Sequence, residues 1–292
     1  MSKLITVFGA TGGQGGPVAQ ALLRSGFRVR AVTRSTESDK AKALKDAGAD
    51  VVAGSVTNAE SVRAAVTGVH GVYLVTLVSP DEEQVGKAAS DECKKAGVQH
   101  VVFSGLDSAK DKIGKAVHHF DSKSAVEKYL DEIGVPNTSV RFPFYFENFI
   151  DFVQYSKQSD GSYSHTLPMN GPMDAMSVAD GAPIVVEVLK NPDRYIGKKV
   201  GLSAGRLTIG EYTEVISKVT GKTVKYNQVS FEQYANQPNN PFAAEMSAMY
   251  EYYSKADTPY DEKFTRSINP DTLTFQQWAK QNKEKLLKKF AA

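Results

Sequence analysis

Residues 9–15, Gly9-Ala10-Thr11-Gly12-Gly13-Gln14-Gly15, follow a short apolar run, Leu4–Phe8, and precede a helical pattern over Gly15–Ser25. A dinucleotide site needs glycines directly after the first strand, because the backbone turns sharply there and comes close to the pyrophosphate. A glycine triplet by itself also fits a flexible loop, and its G-x-x-G-x-x-G spacing differs from the G-x-G-x-x-G fingerprint. The position of the triplet between a predicted strand and a predicted helix favours a dinucleotide turn.

Apolar runs of strand length alternate with helical patterns through the first half of the chain. The predicted strands are Leu4–Phe8, Arg28–Thr33, Asp50–Ala53, Gly71–Thr76, His100–Ser104 and Thr138–Phe142. The predicted helices are Gly15–Ser25, Asp39–Ala47, Asn58–Val66, Pro80–Lys95 and Phe120–Ile133. Strands joined by helices predict a parallel sheet covered on both faces, since each parallel connection crosses back over the sheet. The predicted fold class is a doubly wound α/β sheet.

The strict alternation ends after residue 143, and the rest of the chain reads as a mainly helical lobe. Helix starts are predicted where Ser or Thr is followed three residues later by an acidic residue or Gln. These predicted capping boxes begin at Thr57, Ser79, Ser177, Thr208, Ser230 and Thr274, with Asp180 closing the third. We expect an N-terminal domain over residues 1–150 and a C-terminal lobe over 151–292, with Val200–Ser203 returning to the sheet as an extra strand.

The composition excludes several classes of protein. With 41% hydrophobic residues, 23% charged residues and a net charge of +2, the chain is typical of a globular protein and too weakly basic for a nucleic-acid binder. Cys93 is the only cysteine, so neither an intramolecular disulfide nor a zinc cluster is expected. Leu4–Phe8 is too short for a signal peptide or membrane span. We expect a soluble protein of the cytoplasm, with the nucleus as a second location.

The end of the second predicted strand, Thr33-Arg34, bears on the choice of cofactor. NAD sites carry Asp or Glu about 20 residues after the turn, whereas a basic group there accommodates the 2′-phosphate of NADP. Arg34 therefore favours NADP(H), because a guanidinium forms a bidentate pair with a phosphate. Glu37 and Asp39 weaken this electrostatic argument, and Lys40 and Lys42 offset them. The alternative is that Arg34 is a solvated strand end.

Other strand ends supply further candidates, because ligands of open parallel sheets collect at the carboxyl ends of the strands. Thr76 follows the fourth predicted strand, and Ser104-Gly105 closes the fifth. The segment Arg141–Asn148 follows the sixth, with Tyr145, Phe146, Glu147 and Asn148 as candidate cofactor contacts. Packing in the core explains Phe144 and Phe146 equally well.

The glycine spacing resembles the extended and atypical branches of the short-chain dehydrogenase/reductase superfamily, whose enzymes carry Tyr-x-x-x-Lys. This chain has His119-Phe120-Asp121-Ser122-Lys123 at that place. Four-residue spacing puts His119 and Lys123 on one helical face, so Lys123 can keep the role of anchoring the ribose. His119 is a candidate acid, although the adjacent His118 fits an ordinary surface pair as well.

Taken together, these motifs closely resemble the NmrA-like family, and within it the branch of NADPH-sensing regulators. The matching segments are Val7–Gly16, Val32–Arg34, Phe103–Leu106, His119–Lys123, Val140–Asn148, Met173–Asp180 and Gly201–Ser203. The resemblance implies a Rossmann fold with a small α/β lobe. It also implies NADP contacts from the following residues: Gly9, Ala10, Thr11, Gly12, Gly13, Gln14, Arg34, Thr76, Lys123, Tyr145, Phe146, Glu147 and Asn148.

The chain departs from the sensor branch at two places. Glu37 and Ser38 replace basic residues after Arg34, which weakens the expected selectivity for NADP, and Ser55 replaces an acidic residue. The missing tyrosine implies weak or absent dehydrogenase activity. The leading hypothesis is therefore an NADP(H)-binding regulator, with a reductase of quinones or small aromatic or carbonyl compounds as the alternative. A scaffold with a structural cofactor is a third interpretation.

Partners follow less directly from the sequence. The stretch Met246–Tyr260 is rich in Met and Tyr and is explained by packing within the lobe or by a surface for a protein partner or a homodimer. No nucleic acid, membrane or metal is expected as a partner.

Overall fold

The computed structural model describes residues 2–169, 171–238, 240–258 and 260–291, and these residues form two compact units. The first unit comprises Met1–Ser108, His118–Arg141 and Gly181–Val200. The second comprises Ala109–Val117, Phe142–Asp180 and Gly201–Ala292. The chain therefore passes between the units several times.

Strands and helices alternate through the first unit, and the elements of both units are given below in chain order. The strands are β1 (Leu4–Val7), β2 (Arg28–Thr33), β3 (Asp50–Ala53), β4 (Gly71–Leu74), β5 (His100–Gly105), β6 (Asn137–Arg141), β7 (Phe144–Tyr145), β8 (Ser156–Lys157), β9 (Tyr163–Leu167), β10 (Pro172–Met176), β11 (Lys199–Leu202), β12 (Arg206–Thr208), β13 (Val224–Gln228) and β14 (Tyr260–Asp261). The helices are α1 (Gly15–Arg24), α2 (Asp39–Asp46), α3 (Ala59–Val66), α4 (Glu82–Lys95), α5 (Ala109–Ile113), α6 (His118–Glu132), α7 (Asn148–Asp151), α8 (Ala182–Lys190), α9 (Pro192–Tyr195), α10 (Ile209–Thr220), α11 (Phe231–Ala235), α12 (Ala243–Lys255), α13 (Glu262–Ile268), α14 (Phe275–Gln281) and α15 (Lys283–Ala291).

Among the described residues, the central sheet has eight strands in the order β14-β11-β6-β5-β4-β1-β2-β3. The register pairs Ile5 of β1 in parallel with Val29 of β2 and Gly71 of β4. In the first unit, the Ser139 N–H of β6 donates to the Lys198 carbonyl just before β11. In the second unit, Gly201 at the end of β11 pairs with β14. The predicted doubly wound parallel sheet is confirmed.

The core of the first unit follows the alternation of side chains along its strands. Val72 and Leu74 of β4 are fully buried and join a cluster with apolar residues of α3, α4 and α6. Gly71, which alternates with them, faces Leu189 of α8. Helices therefore cover both faces of the sheet, as a parallel sheet requires.

A buried ionic cluster lies at the carboxyl end of β6. Both carboxylate oxygens of Glu127 accept from the Arg141 guanidinium, at 3.0 and 2.6 Å, and the Ser139 hydroxyl donates to the same carboxylate. Asp107 accepts from the remaining Arg141 nitrogen at 2.5 Å. Gly105 leaves room for this cluster, since a Cβ there would lie 2.0 Å from Glu127 Oε1.

The second unit contains two three-stranded sheets, β12-β10-β7 and β13-β9-β8, in addition to its helices. An aromatic core fills it, and fully buried Phe149 packs against Tyr212 and Phe275 with ring centroids 5.1 Å apart in each case. In α12, Met249 and Tyr252 are buried, which favours packing for this part of Met246–Tyr260. Pro259 of that stretch lies outside the described residues.

Three of the predicted helix caps are confirmed and three are wrong. Thr208, Ser230 and Thr274 form complete capping boxes. Asn58 caps α3 instead of Thr57, and α4 begins at Glu82 after Asp81, without a side-chain cap from Ser79. Asp180 accepts from the Leu273 N–H at 2.9 Å instead of closing a box. No helix in the described ranges is long and apolar enough to cross a bilayer.

Gly86 of α4 allows close packing on α6, and its replacement tests this contact. A Cβ at Gly86 would lie 2.4 Å from Val126 Cγ2, whereas one at Gly16 would lie 3.5 Å from its nearest neighbour, the Ala10 carbonyl oxygen. We expect Gly86→Ala to lower the free energy of unfolding in urea by about 1–3 kcal/mol through overpacking. Gly16→Ala is the control and should cause no loss; equal effects of the two changes would contradict the packing argument.

Candidate dinucleotide site

The turn at residues 9–15, called here the dinucleotide turn, has the backbone geometry that its glycines predict. Gly9 has a φ of 62°, in the left-handed region that glycine adopts without strain. Its carbonyl accepts from the Gly12 N–H at 2.8 Å, which closes the turn. The chain then enters α1, whose first turn carries no acidic residue. An anion placed there would meet the positive end of the helix dipole without repulsion from a carboxylate.

Gly15 is required for another reason, the close approach of α1 to the turn. A Cβ on Gly15 would lie 2.3 Å from the Gly9 carbonyl oxygen and 2.8 Å from that of Phe8. Gly13 is different, because a Cβ there would have no heavy atom within 4 Å. The glycines at 9 and 15 therefore serve backbone geometry, whereas Gly13 leaves open space beside the turn.

Hydrogen bonds fasten the dinucleotide turn to the neighbouring strands. The Ala10 N–H donates to the Val32 carbonyl of β2 at 3.0 Å, and the hydroxyls of Thr11 and Thr33 are 2.9 Å apart. On the other side, the Tyr73 hydroxyl of β4 donates to Gln14 Oε1 at 2.9 Å. The turn is thus held by side chains from both strands that flank β1.

A cavity of about 170 Å³, called here the turn cavity, opens beside the turn at the carboxyl ends of the strands. Its walls bring together three of the predicted turn residues with Arg34, and they add residues that the sequence did not single out. The lining residues are Gly9, Thr11, Gly12, Val32, Thr33, Arg34, Gly54, Ser55, Val56, Val75 and Leu77. The cavity lies where the doubly wound fold holds its ligands.

Arg34 is exposed at this cavity and has no ion pair among the described residues. The acidic neighbour that weakened the electrostatic argument, Glu37, lies 3.8 Å from the Lys42 ammonium and also accepts from the Thr36 hydroxyl. Ser55 brings a neutral hydroxyl to the cavity wall, paired with Thr57 at 2.8 Å. The Arg34 guanidinium is therefore available to an anion at the rim.

Thr76 and Lys123, both predicted cofactor contacts, meet in a buried cluster with Glu82. The Lys123 ammonium donates to Glu82 Oε1 at 2.5 Å, to the Thr76 hydroxyl at 2.8 Å and to the Thr76 carbonyl at 3.3 Å. The Thr76 hydroxyl in turn donates to Glu82 Oε1 at 2.6 Å. Glu82 is fully buried and Lys123 is 8% exposed. All three ammonium protons are thus used within the cluster.

This cluster changes the chemistry expected of Lys123. Burial lowers the pKa of its ammonium, and the nearby Glu82 carboxylate opposes that shift. Glu82 Oε2 is buried and has no hydrogen-bond partner among the described residues. Sequence reasoning missed this role of Glu82 because the Ser79–Glu82 pattern predicts a helix cap. The ribose-anchoring and catalytic roles of Lys123 remain predictions.

His119 lies one turn before Lys123 on α6 and is half-buried. Its ring packs edge-on against Phe120, with centroids 4.8 Å apart. The neighbouring His118 is exposed, and its Nε2 lies 2.7 Å from the Ser79 carbonyl oxygen. A role of His119 as an acid remains a prediction.

The predicted contacts at residues 145–148 belong to the second unit. Phe146 is 2% exposed, and its ring lies 5.0 Å from that of Phe275. Glu147 accepts from the Ser177 hydroxyl at 2.8 Å and from the Trp278 indole N–H at 3.2 Å. Tyr145 and Asn148 are half-buried. Contacts of these four residues with a cofactor remain predictions. Within their own unit, the Phe146 ring packs against other aromatic rings and the Glu147 carboxylate accepts hydrogen bonds.

A doubly wound parallel sheet with a glycine turn after its first strand defines this chain as a Rossmann-like α/β protein. The comparison with family models is more specific. The chain belongs to the NmrA-like family, whose model matches residues 1–290. The resemblance to the NmrA-like family stated from the sequence motifs is therefore confirmed.

Two relatives and one solved structure show how far the similarity extends. An NmrA-like family domain-containing protein of Dictyostelium discoideum is 32% identical over 272 residues, covering 87% of this chain and 88% of its own. The NmrA-like oxidoreductase FrzB of Cladobotryum sp is 32% identical over 260 residues, covering 78% and 77%. The negative transcriptional regulator NmrA, crystallised with NADP, superposes with a TM-score of 0.84 at 20% identity, covering 99% and 97%.

Replacement of Lys123 in the buried Lys123–Glu82 pair should strongly lower the stability of the protein, and a second replacement at Glu82 should restore much of it. Lys123→Met leaves a buried carboxylate without its cation, so we expect the free energy of unfolding in urea to fall by about 3–5 kcal/mol. The double change Lys123→Met with Glu82→Gln should regain much of that loss, because the buried site becomes neutral. The exposed pair of Lys87 and Glu83 on α4 supplies the control, Lys87→Met, with an effect of at most about 1 kcal/mol. Similar losses for the two lysines would refute this role of Glu82.

Proposed function

We propose that this protein binds NADP(H) in its first unit and acts as an NADP(H)-responsive regulator with little or no dehydrogenase activity. The observation that carries the regulatory part is the state of Lys123, whose three N–H donors are all used by Thr76 and Glu82. In addition, His119 occupies the place of the expected tyrosine. A reductase that relies on this lysine would need its ammonium free to reach the cofactor or the substrate.

The residues of the first unit fit the cofactor. The dinucleotide turn and the start of α1 suit the pyrophosphate, because backbone amides and the helix dipole meet negative charge there. Arg34 at the rim of the turn cavity suits the 2′-phosphate that distinguishes NADP from NAD. When bound, the nicotinamide would supply or accept a hydride, and its occupancy is the signal in a regulatory role.

The family comparison supports this proposal. NmrA, which shares the fold, is described as a negative transcriptional regulator and has been crystallised with NADP and with NAD. In this chain, cofactor occupancy would order the exposed loop after Arg34. A protein partner or a second copy of the chain would then bind with a different affinity, because the surface that it contacts has changed.

A reductase of quinones or of small aromatic or carbonyl compounds is the second candidate function. FrzB, which is 32% identical to this chain, is called an oxidoreductase. Burial also lowers the pKa of Lys123, as proton transfer near neutral pH would require. Under this proposal the Lys123–Glu82 contact must open when cofactor and substrate bind.

Calorimetric titration with NADPH and NADH tests the cofactor assignment. We expect the wild type to bind NADPH more tightly than NADH. Arg34→Asp should lower the affinity for NADPH by tenfold or more, because it removes a charged hydrogen bond and adds repulsion, which together exceed about 1.4 kcal/mol. Arg28→Asp, an exposed arginine at the opposite end of the same strand, is the matched control and should change neither affinity. Equal affinities of the wild type for both cofactors would remove the NADP assignment.

Steady-state oxidation of NADPH separates the two functions. With a panel of quinones and aromatic aldehydes as acceptors, the regulator should complete at most a few turnovers while retaining its cofactor affinity. Sustained turnover that disappears in Lys123→Ala, in a variant that still binds NADPH, would establish the reductase and overturn the regulatory proposal. Sustained turnover that survives Lys123→Ala would overturn the role of the lysine in either function.

A further inference from the structure

The second unit contains a larger cavity, of about 560 Å³, called here the second-unit cavity. It is walled by the segment 152–156, by β9 and by the helices α11 and α12, all of which belong to the second unit. Its volume lies within the range of roughly 300–1,000 Å³ that small-molecule pockets occupy. Neither the proposed cofactor site nor the predicted cofactor contacts include its lining residues.

Two tyrosines of the second unit line this cavity. Tyr234 and Tyr250 are 9% and 6% exposed, and their rings meet edge-on with centroids 5.8 Å apart. Neither hydroxyl has a hydrogen-bond partner among the described residues. Neither hydroxyl is among the fully buried polar atoms that lack a partner, so both open onto the space of the cavity, where a tyrosine O–H can donate to a ligand. A ligand oxygen in the cavity would replace solvent as the acceptor of these two hydroxyls.

The lining of the cavity is neutral. It includes no Lys, Arg, Asp or Glu among the described residues. Burial raises the pKa of both tyrosine hydroxyls, so they act as neutral donors, and burial lowers the pKa of His165 to about 4, so this lining imidazole is uncharged near neutral pH. A charged ligand would lose its hydration in this cavity without gaining a counter-ion. A neutral hydrogen-bond acceptor would have a much smaller desolvation cost.

Aromatic side chains are exposed on the same cavity. Phe152 is 75% exposed and Phe242 is 65% exposed, although large apolar side chains are normally covered. Met246, a flexible and polarisable side chain, lines the cavity beside them. Phenyl rings and a thioether favour flat aromatic ligands, because such surfaces stack at short distances.

We propose that the second-unit cavity binds a neutral, planar aromatic compound whose carbonyl oxygen accepts hydrogen bonds from Tyr234 and Tyr250. The binding goes beyond the proposed cofactor function, because all of these residues lie in the second unit and none lines the turn cavity. The site adds a second small-molecule input to the protein, whether or not NADP(H) is bound.

A fluorescent aromatic ketone, 6-propionyl-2-(dimethylamino)naphthalene, is the probe for this site. It is neutral and planar, and its emission shifts to shorter wavelength on leaving water. We expect saturable binding to the full-length protein, weakened about 3–10-fold by Tyr250→Phe and by Tyr234→Phe, as for the loss of one hydrogen bond. Met246→Trp should weaken binding by narrowing the cavity. Absence of saturable binding would overturn the proposal.

The matched control is Tyr129→Phe, which removes a tyrosine hydroxyl of the first unit that donates to Asp91. It should leave probe affinity unchanged, and all four variants should bind NADPH like the wild type, which shows that they are folded. Equal probe affinity in the wild type, Tyr250→Phe and Tyr234→Phe would overturn the hydrogen-bonding role. Unchanged affinity in Met246→Trp would place the probe elsewhere and overturn the proposal. Loss of NADPH binding by the wild type would count against the cofactor proposal alone.

Discussion

The carbonyl oxygen of Gly9 lies so close to Gly15 that no side chain fits between them, and the arrangement of the first unit depends on this contact. A Cβ on Gly15 would approach that oxygen to 2.3 Å, so any other residue would push α1 away from the end of β1. The positive φ of Gly9 and its bond to the Gly12 N–H set the direction of entry into the helix. The same geometry leaves open space beside Gly13, and the turn cavity lies at this edge of the sheet.

Arg34 and Lys123, both predicted to contact the cofactor, differ in exposure and in pairing. Arg34 is exposed and without an ion pair in the described part of the chain, as a group that recruits an anion should be. Lys123 is buried against Glu82 and Thr76, so its charge is used within the protein. An exposed cation without a partner is accessible to an anion, whereas a buried and paired one is not unless the pair opens. This contrast is the physical basis for preferring a regulator over a reductase.

Much of the first unit could be predicted because its elements are set by local patterns. The bounds of β2 and β3 match the predicted ones, and α2 ends one residue before its prediction. Side-chain alternation and helical periodicity depend on neighbours in sequence, so they can be read without the fold. The capping boxes at Thr208, Ser230 and Thr274 are local in the same sense. The box expected at Ser79 failed because Glu82 is drawn to Lys123, a partner 41 residues away.

By itself, the sequence determined the doubly wound sheet, the dinucleotide turn and the position of Arg34 at the end of the second strand. Each follows from the spacing of residues along one or two elements. Only the tertiary structure decided which polar groups are hydrogen-bonded within the protein and which are accessible to a ligand. The pairing of Lys123 with Glu82 and the cavity onto which the Tyr234 and Tyr250 hydroxyls open depend on elements that meet through folding. Burial decides the role of the Lys123–Glu82 pair, because a polar atom removed from water must find its partner in the protein or in a ligand.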